Sequence, residues 1–352
     1  MADVRFSVVM PLYNKAAHVR DAIDSVRAQS HAAHEIIVVD NRSTDGSREI
    51  VAAIDDPRIR LLDLATPGPG GYAGRNVGIE AARGEWIAFL DADDLWAHDH
   101  LALLAQTIAE DPGVAAVATR FDHVFEDRRQ PQRIAARLES PVTLDFAGFL
   151  ESWLAVRECP MWTGAIAIRR TAILAAGGFP HGKAVRGGDK DLWLRVLRKG
   201  RLRYSPVISA DFHRDSENKV SKSTTTLDLP LIVTTVRGMI PTANRREAAL
   251  LRRLANQEIA HYARYAMKHP GRTAIRARDV YLPEGWTTAA LVLAARTIPA
   301  AVRQRDMSCA AGGARRLDDP CQYRSADDRR RGGRGVAPVS YTHLTLPTNR
   351  EV

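Results

Sequence analysis

The chain has 352 residues, enough to bury a sizeable core and to carry one large domain plus an appendage. Its 45% hydrophobic and 26% charged residues are the proportions of a soluble globular protein rather than of a disordered one. The net charge of +9 raises nucleic acid as a partner, but the excess Arg falls in the C-terminal third without the aromatic interleaving of an RNA-binding module. No nucleic acid is therefore expected. A solvated basic face, anionic lipid head groups or a phosphorylated acceptor are the readings that remain.

The first 125 residues alternate short apolar runs with helical periodicity, the pattern of a layered α/β sheet. A buried strand is predicted over 6–10. Asn14 follows as a candidate cap for a helix whose apolar face is Val19, Ala22, Ile23 and Val26. Next come a strand over 35–39, a helix over 45–54, a strand over 58–64 and a helix over 72–82 with Gly84 as its stop. A strand over 85–90 runs into an acidic loop, followed by a helix over 98–110 and a strand over 114–124. Residues 125–137 read as a loop. A strand over 163–168 and a short helix closed by Gly177-Gly178 come next, then an amphipathic helix over 189–199 and a strand over 201–212.

From about 226 to 307 the pattern is helical and basic, and it is taken as a C-terminal extension of a domain spanning 1–225. Its most apolar stretch, 289–302, is interrupted by Arg296 and Pro299 and is too short to span a bilayer. No signal peptide is read at the N-terminus. Cys159, Cys309 and Cys321 lack metal-ligand spacing, which excludes a disulfide scaffold and a zinc site and fits a reducing cytoplasm. A cytoplasmic location is expected, with peripheral contact at the inner face of a membrane. Over 308–352 hydrophobic periodicity is lost. The last 14 residues resemble a translated sequencing adapter, so this segment is set aside as a non-native or disordered tail.

Chemistry concentrates in Asp91-Ala92-Asp93-Asp94, directly after an apolar strand. Open α/β sheets bind ligands in the crevice at such strand ends. Two carboxylates spaced i and i+2 can offer oxygens to one Mg2+ or Mn2+ ion. A calcium loop is disfavoured, because Leu95 and Trp96 stand where a third ligand and a glycine belong. Taken alone, such a loop is more often a turn or a helix cap than a metal site.

The motifs around the loop change that balance. Val8-Val9-Met10-Pro11-Leu12-Tyr13-Asn14, Val38-Val39-Asp40-Asn41 and Gly74-Arg75-Asn76-Val77-Gly78 precede the acidic loop. Gly178-Phe179 and Gly188-Asp189-Lys190-Asp191-Leu192-Trp193 follow it. In this order and spacing, over about 4–215, they resemble the inverting family 2 glycosyltransferases of the GT-A fold. That resemblance implies a three-layer α/β/α sandwich with a mostly parallel central sheet. It also implies transfer of a sugar from a nucleotide-diphosphate donor to a glycan, lipid-linked or other hydroxyl acceptor.

Carried onto this chain, the resemblance places Pro11 and Tyr13 beside the nucleotide base, and Asp40 and Asn41 at base and ribose. Arg75 and Asn76 line the donor pocket. Asp93 becomes the principal ligand of a divalent metal (Mn2+ or Mg2+), and Asp91 a ribose or metal contact. Asp189 matches the general base. Asn41 stands where many members have a second acid, and Gly188 where many have Glu. The Gln-x-x-Arg-Trp block of processive members is absent, which implies one sugar per encounter.

Two other readings compete. Gly68-Pro69-Gly70-Gly71-Tyr72-Ala73 formally matches a dinucleotide-binding turn, which would make the chain an oxidoreductase. A non-catalytic nucleotide-sugar binder would need no base, whereas the chain carries both the acidic loop and Asp189. Asp189 could instead be a first-turn acid favoured by the helix dipole. His213, after the last strand, is either a phosphate or metal contact or a surface histidine.

Overall fold

The computed structural model describes residues 4–66, 68, 71–183, 186–215, 229–268 and 274–297, all within one compact unit. The 308–352 tail lies outside the described residues, as do Pro69 and Gly70 of the glycine-rich turn. Strand β1 (Phe6–Leu12) is flanked by β2 (Glu35–Asp40) and β4 (Trp86–Phe89), and β3 (Ile59–Asp63) lies outside β2. These four run parallel. On the other side of β4 come β9 (Ile166–Arg169), β6 (Ala116–Val124), β10 (Leu202–His213) and the two-residue β5 (Leu95–Trp96). β9 is antiparallel to both its neighbours, while β6 and β10 are parallel to each other. Short β7 (Arg129–Pro131) and β8 (Val142–Leu144) pair with β6 and β10. The result is the mixed, mostly parallel α/β/α sheet expected.

The central strands are apolar without interruption because both sheet faces are covered. Side chains alternate between the faces with the period of two. On one face Val8 and Met10 of β1 pack with Val19, Ile23 and Val26 of α1 (Val19–Arg27) and Leu101 and Leu104 of α4 (His100–Glu110). On the other, Val9 packs in one core with Tyr72 and Ile79 of α3 (Tyr72–Ala81), Phe149 and Trp153 of α5 (Phe146–Val156) and Trp193 of α7 (Gly188–Leu197). Helices α2 (Ser47–Ala52) and α6 (Arg170–Ala175) complete the N-terminal part of the layers.

The basic C-terminal segment forms α8 (Leu231–Met239), α9 (Arg245–Lys268) and α10 (Trp286–Thr297). Leu250, Leu251, Leu254 and Ile259 of α9 enter the same core as Phe149 and Trp193. The helical reading of this segment holds, and its apolar face closes over α5 and α7.

Two local expectations change. Gly84 does not cap α3, which ends with Ala82 extended at φ −67° and ψ 142°. A Cβ at Gly84 would lie 2.7 Å from Arg5 O and Ser7 N, so the glycine is there for close backbone approach to β1. Asn14 does not cap α1, whose N-cap position is His18. Held at φ 49°, Asn14 donates its backbone N–H to Ser43 Oγ (3.0 Å) and accepts from Thr44 N (2.8 Å). With Lys15 N donating to Ser47 Oγ and Ala16 N to Asp45 Oδ2, both at 2.9 Å, the loop after β1 is stitched to the loop after β2. Gly177 and Gly178, at φ 82° and 67°, do end α6 as expected.

Candidate functional site

The chain runs outward from β1 to β2 and β3, then returns to β4 on the other side of β1. That reversal leaves a crevice beyond the carboxyl ends of β1 and β4. Pro11 and Leu12 end β1 in register with Val39 and Asp40 at the end of β2. Asp91 and Asp93 follow β4. The expected residues of three separate motifs therefore meet at one sheet edge.

Within this edge each carboxylate has a definite partner. Asp40 is 2% exposed and accepts from Ser43 N at 3.1 and 3.3 Å, so it shapes the turn it begins. Asp91 pairs with Arg75, which projects from the first turns of α3 and is itself almost buried. Asp93 pairs with Lys15 Nζ at 2.9 Å. Asp94, fully buried, accepts from His213 N at 2.8 Å and so ties the acidic loop to the end of β10. His213 is thereby placed at the loop, its ring Nδ1 4.0 Å from Asp94 Oδ1.

Arg75 links the two sides of the crevice. Burial works against its charge, but Asp91, Tyr72 and Asp189 all act on the guanidinium, and its pKa ends above the ordinary value. Its guanidinium also lies over the Phe179 ring, 5.5 Å from the centroid. Asp189 stands in the first turn of α7, as expected for a helix-terminus acid or a base. Tyr72 Oη accepts from Gly188 N at 2.9 Å, fixing this helix start against α3. Burial first, and then Asp189, raise the Tyr72 phenol above its normal range, so it stays neutral. Asp191 is committed elsewhere: 3% exposed, it is ion-paired to Arg195 at 2.5 Å and accepts from Thr235 Oγ1.

Two residues expected at the donor also bond to the backbone. Asn41 Nδ2 donates to Gly68 O (3.1 Å) and its Oδ1 accepts from Gly68 N (3.2 Å). Asn76 makes the same double bond to the backbone of Phe179, at 3.0 and 2.8 Å. Asn41 thus holds Gly68 and Asn76 holds the turn before α7, each amide using one of its two N–H donors and one of its two lone pairs. Tyr13, just beyond the end of β1, is 53% exposed.

Sequence periodicity does not reveal Lys15, Tyr72, Lys190 or the polar face of α9. Lys190 Nζ lies 3.6 Å from Glu258 Oε1 and 5.3 Å from the Trp153 ring centroid. Burial opposes the Lys190 charge, but Glu258 and Asp189 overcome it and raise its pKa. Tyr262, one turn beyond Glu258, interacts electrostatically with Asp189 too. The i, i+4 spacing of Glu258 and Tyr262 is the available signal, but only packing shows what that face meets.

Asp91 and Asp93 offer carboxylate oxygens of the kind a hard divalent ion takes, and the rest of its ligands would have to come from elsewhere. Among the described residues no group of three or more His, Cys, Asp or Glu could hold an ion alone. The donor chemistry fits a metal bound jointly with a phosphate ligand. The dinucleotide reading fits less well, because the glycine-rich turn follows β3 at the sheet edge, not the central β1.

The sheet and its carboxylate-bearing crevice define a GT-A-type α/β fold. Residues 7–173, just under half of the chain, match the family described as Glycosyl transferase family 2. It is 40% identical over 152 residues to the succinoglycan biosynthesis protein ExoO of Rhizobium meliloti, covering 43% of this chain and 42% of that protein. It is 41% identical over 97 residues to the putative teichuronic acid biosynthesis glycosyltransferase TuaG of Bacillus subtilis, covering 27% and 38%. The chain thus spans less than half the length of these curated relatives. The structure of S. aureus TarS 1–349 in complex with UDP-GlcNAc superposes with a TM-score of 0.65 at 19% identity, covering 90% of this chain and 94% of that one. At that identity the likeness is one of fold, and its extent goes well past residue 173.

Proposed function

We propose that the chain moves one sugar from a nucleotide-diphosphate donor to an acceptor hydroxyl with inversion at the anomeric carbon. The observation that carries this is Arg75, which pairs with Asp91 on the donor side while sharing the field of Asp189 on the other. Tyr13 and Pro11 border the base, and Asp40 and Asp91 stand towards base and ribose. Asn41 and Asn76 hold the surrounding loop and turn. A divalent metal held by Asp93, with Asp91, would stabilise the charge developing on the departing diphosphate. Asp189 takes the acceptor hydroxyl's proton as that oxygen bonds to the anomeric carbon and the carbon–diphosphate bond breaks. A single displacement needs no protein nucleophile.

A uridine nucleotide is the first donor to test, since UDP-GlcNAc is bound by the TarS fold relative. A glycan acceptor agrees with the polysaccharide pathways named for ExoO and TuaG. An acceptor presented at an anionic membrane agrees with eleven Lys and Arg against four Asp and Glu over 229–297. No helix among the described residues is long and apolar enough to cross a bilayer.

The test is Asp189→Asn, which keeps the side chain's shape and removes its proton affinity. Transfer, followed as diphosphate release from UDP-, GDP- and dTDP-sugars with Mn2+, falls about 10²–10⁴-fold, the usual contribution of a general base. Calorimetric binding of the nucleotide stays within about twofold of wild type. Transfer at the wild-type rate removes Asp189 from the chemistry. Loss of nucleotide binding makes it a first-turn acid that only stabilises α7.

A further inference from the structure

Asp91 and Asp93 of the acidic loop after β4 are each paired with a cation of the chain, and these two cations differ in kind. Arg75 is enclosed in α3, stacked on Phe179, and bound to Asp91. Lys15 reaches Asp93 from the loop after β1, at 2.9 Å, with side-chain exposures of 11% for the lysine and 7% for the aspartate. The Lys15 backbone is pinned through its N–H to Ser47 Oγ at 2.9 Å, but its ammonium sits at the end of a four-carbon stem with three rotatable donors. A divalent ion arriving alone at Asp93 therefore meets a carboxylate whose charge is already matched at hydrogen-bond distance. Taking one partner away from a nearly buried ion pair is strongly unfavourable. A nucleotide diphosphate changes that balance, because it brings phosphate oxygens to the same strand ends and gives the ammonium a second anion to hold.

We infer that Lys15 is an internal counter-ion that withholds Asp93 from a free divalent cation and releases it when a nucleotide diphosphate binds, turning its ammonium to the phosphates. The inference rests on the metal-assisted reading of the site and adds a binding order to it. Metal and nucleotide should each tighten the other's binding, and reciprocity requires the same factor in both directions. Removing the ammonium should let the metal bind first.

The experiment is Mn2+ titration of the full chain, read by loss of the free-ion electron paramagnetic resonance signal, with and without UDP. In wild type, UDP should tighten Mn2+ binding within the about 5–150-fold range usual for coupled sites. In Lys15→Met, Mn2+ alone should bind at least about tenfold tighter than to wild type, UDP should add little, and UDP affinity itself should fall. Equal Mn2+ affinity of the variant and wild type without UDP, while UDP still tightens Mn2+ in wild type, overturns the role of Lys15 and leaves the metal reading intact. Absence of Mn2+ binding in both proteins even with UDP overturns both. The wild-type comparison alone decides if the variant does not fold: Mn2+ affinity indifferent to UDP overturns the inference.

Discussion

His100 is fully buried, stacked 4.4 Å from the Trp96 ring centroid and bonded through Nδ1 to Ser209 Oγ at 2.8 Å. Its Nε2 is enclosed without a hydrogen-bond partner among the described residues, and burial pushes its pKa down to about 3. In the unfolded chain the imidazole titrates near its usual value of about 6.5, so between these values the unfolded state binds the extra proton. Stability from the neutral ring is complete above about pH 6.5 and declines as pH falls towards 3, by at most about 1.4 kcal/mol per pH unit. His100→Phe keeps the stacking and removes the titration, and Ser209 retains its bond to Thr119 Oγ1. Urea denaturation from pH 7 to 4.5 should show a shallower loss of stability in the variant than in wild type. Parallel curves would place the acid sensitivity elsewhere.

Among the elements, α3 carries Arg75 and Asn76, so its distance from β1 sets the site. Two glycines face that contact with different room. A Cβ at Gly74 would sit 3.6 Å from Pro11 Cβ and 3.7 Å from Val39, which is ordinary contact. A Cβ at Gly78 would overlap Val9 Cγ1 and lie 3.1 Å from its Cγ2, against a β-branched side chain with no freedom to yield. Alanine improves helix propensity by about 1 kcal/mol at either position. At Gly74 that gain stands, and Gly74→Ala should be neutral or stabilising by up to about 1 kcal/mol. At Gly78 overpacking, typically about 1–3 kcal/mol, exceeds it, and Gly78→Ala should lower stability in chemical denaturation. The same sign for both variants would show that β1 and α3 can separate freely.

At the scale of the molecule, three of the exposed large apolar side chains among the described residues stand on or just before the last helix. Leu282, Trp286 and Leu293 are 64%, 69% and 51% exposed. Trp286 and Leu293, seven residues apart on α10, share a helix face, within a strongly basic segment. Trp and Leu above a positive surface are the composition of an interfacial membrane contact. The protein should sediment with phosphatidylglycerol vesicles but not with phosphatidylcholine vesicles, less so at high salt. The double variant Trp286→Ser and Leu293→Ser should reduce this binding several-fold. A salt-insensitive dimer lost in the same variant would assign the face to a second copy of the chain, and no vesicle binding at low salt would remove the membrane contact.

The strands, the helix faces and the acidic loop were legible in the sequence because they depend on local periodicity. The buried face of α1 is the one read from Val19, Ala22, Ile23 and Val26, and parallel strands covered on both sides show as unbroken apolar runs. The short strands β5, β7 and β8 were not legible, since two or three residues hold no period and exist only through pairing with β6 and β10. Nor was α5, whose first half is buried on nearly every side and so has little amphipathic contrast. The identities of Asp91, Asp93 and Asp189 are written in the chain. That Lys15 stands on Asp93, that Asn41 and Asn76 bond to the backbone of Gly68 and Phe179, and that Glu258 of α9 reaches Lys190 beside Asp189 were decided by packing alone. A contact between residues some 70 apart is fixed by where the sheet and its covering helices place them, and no local spacing encodes it.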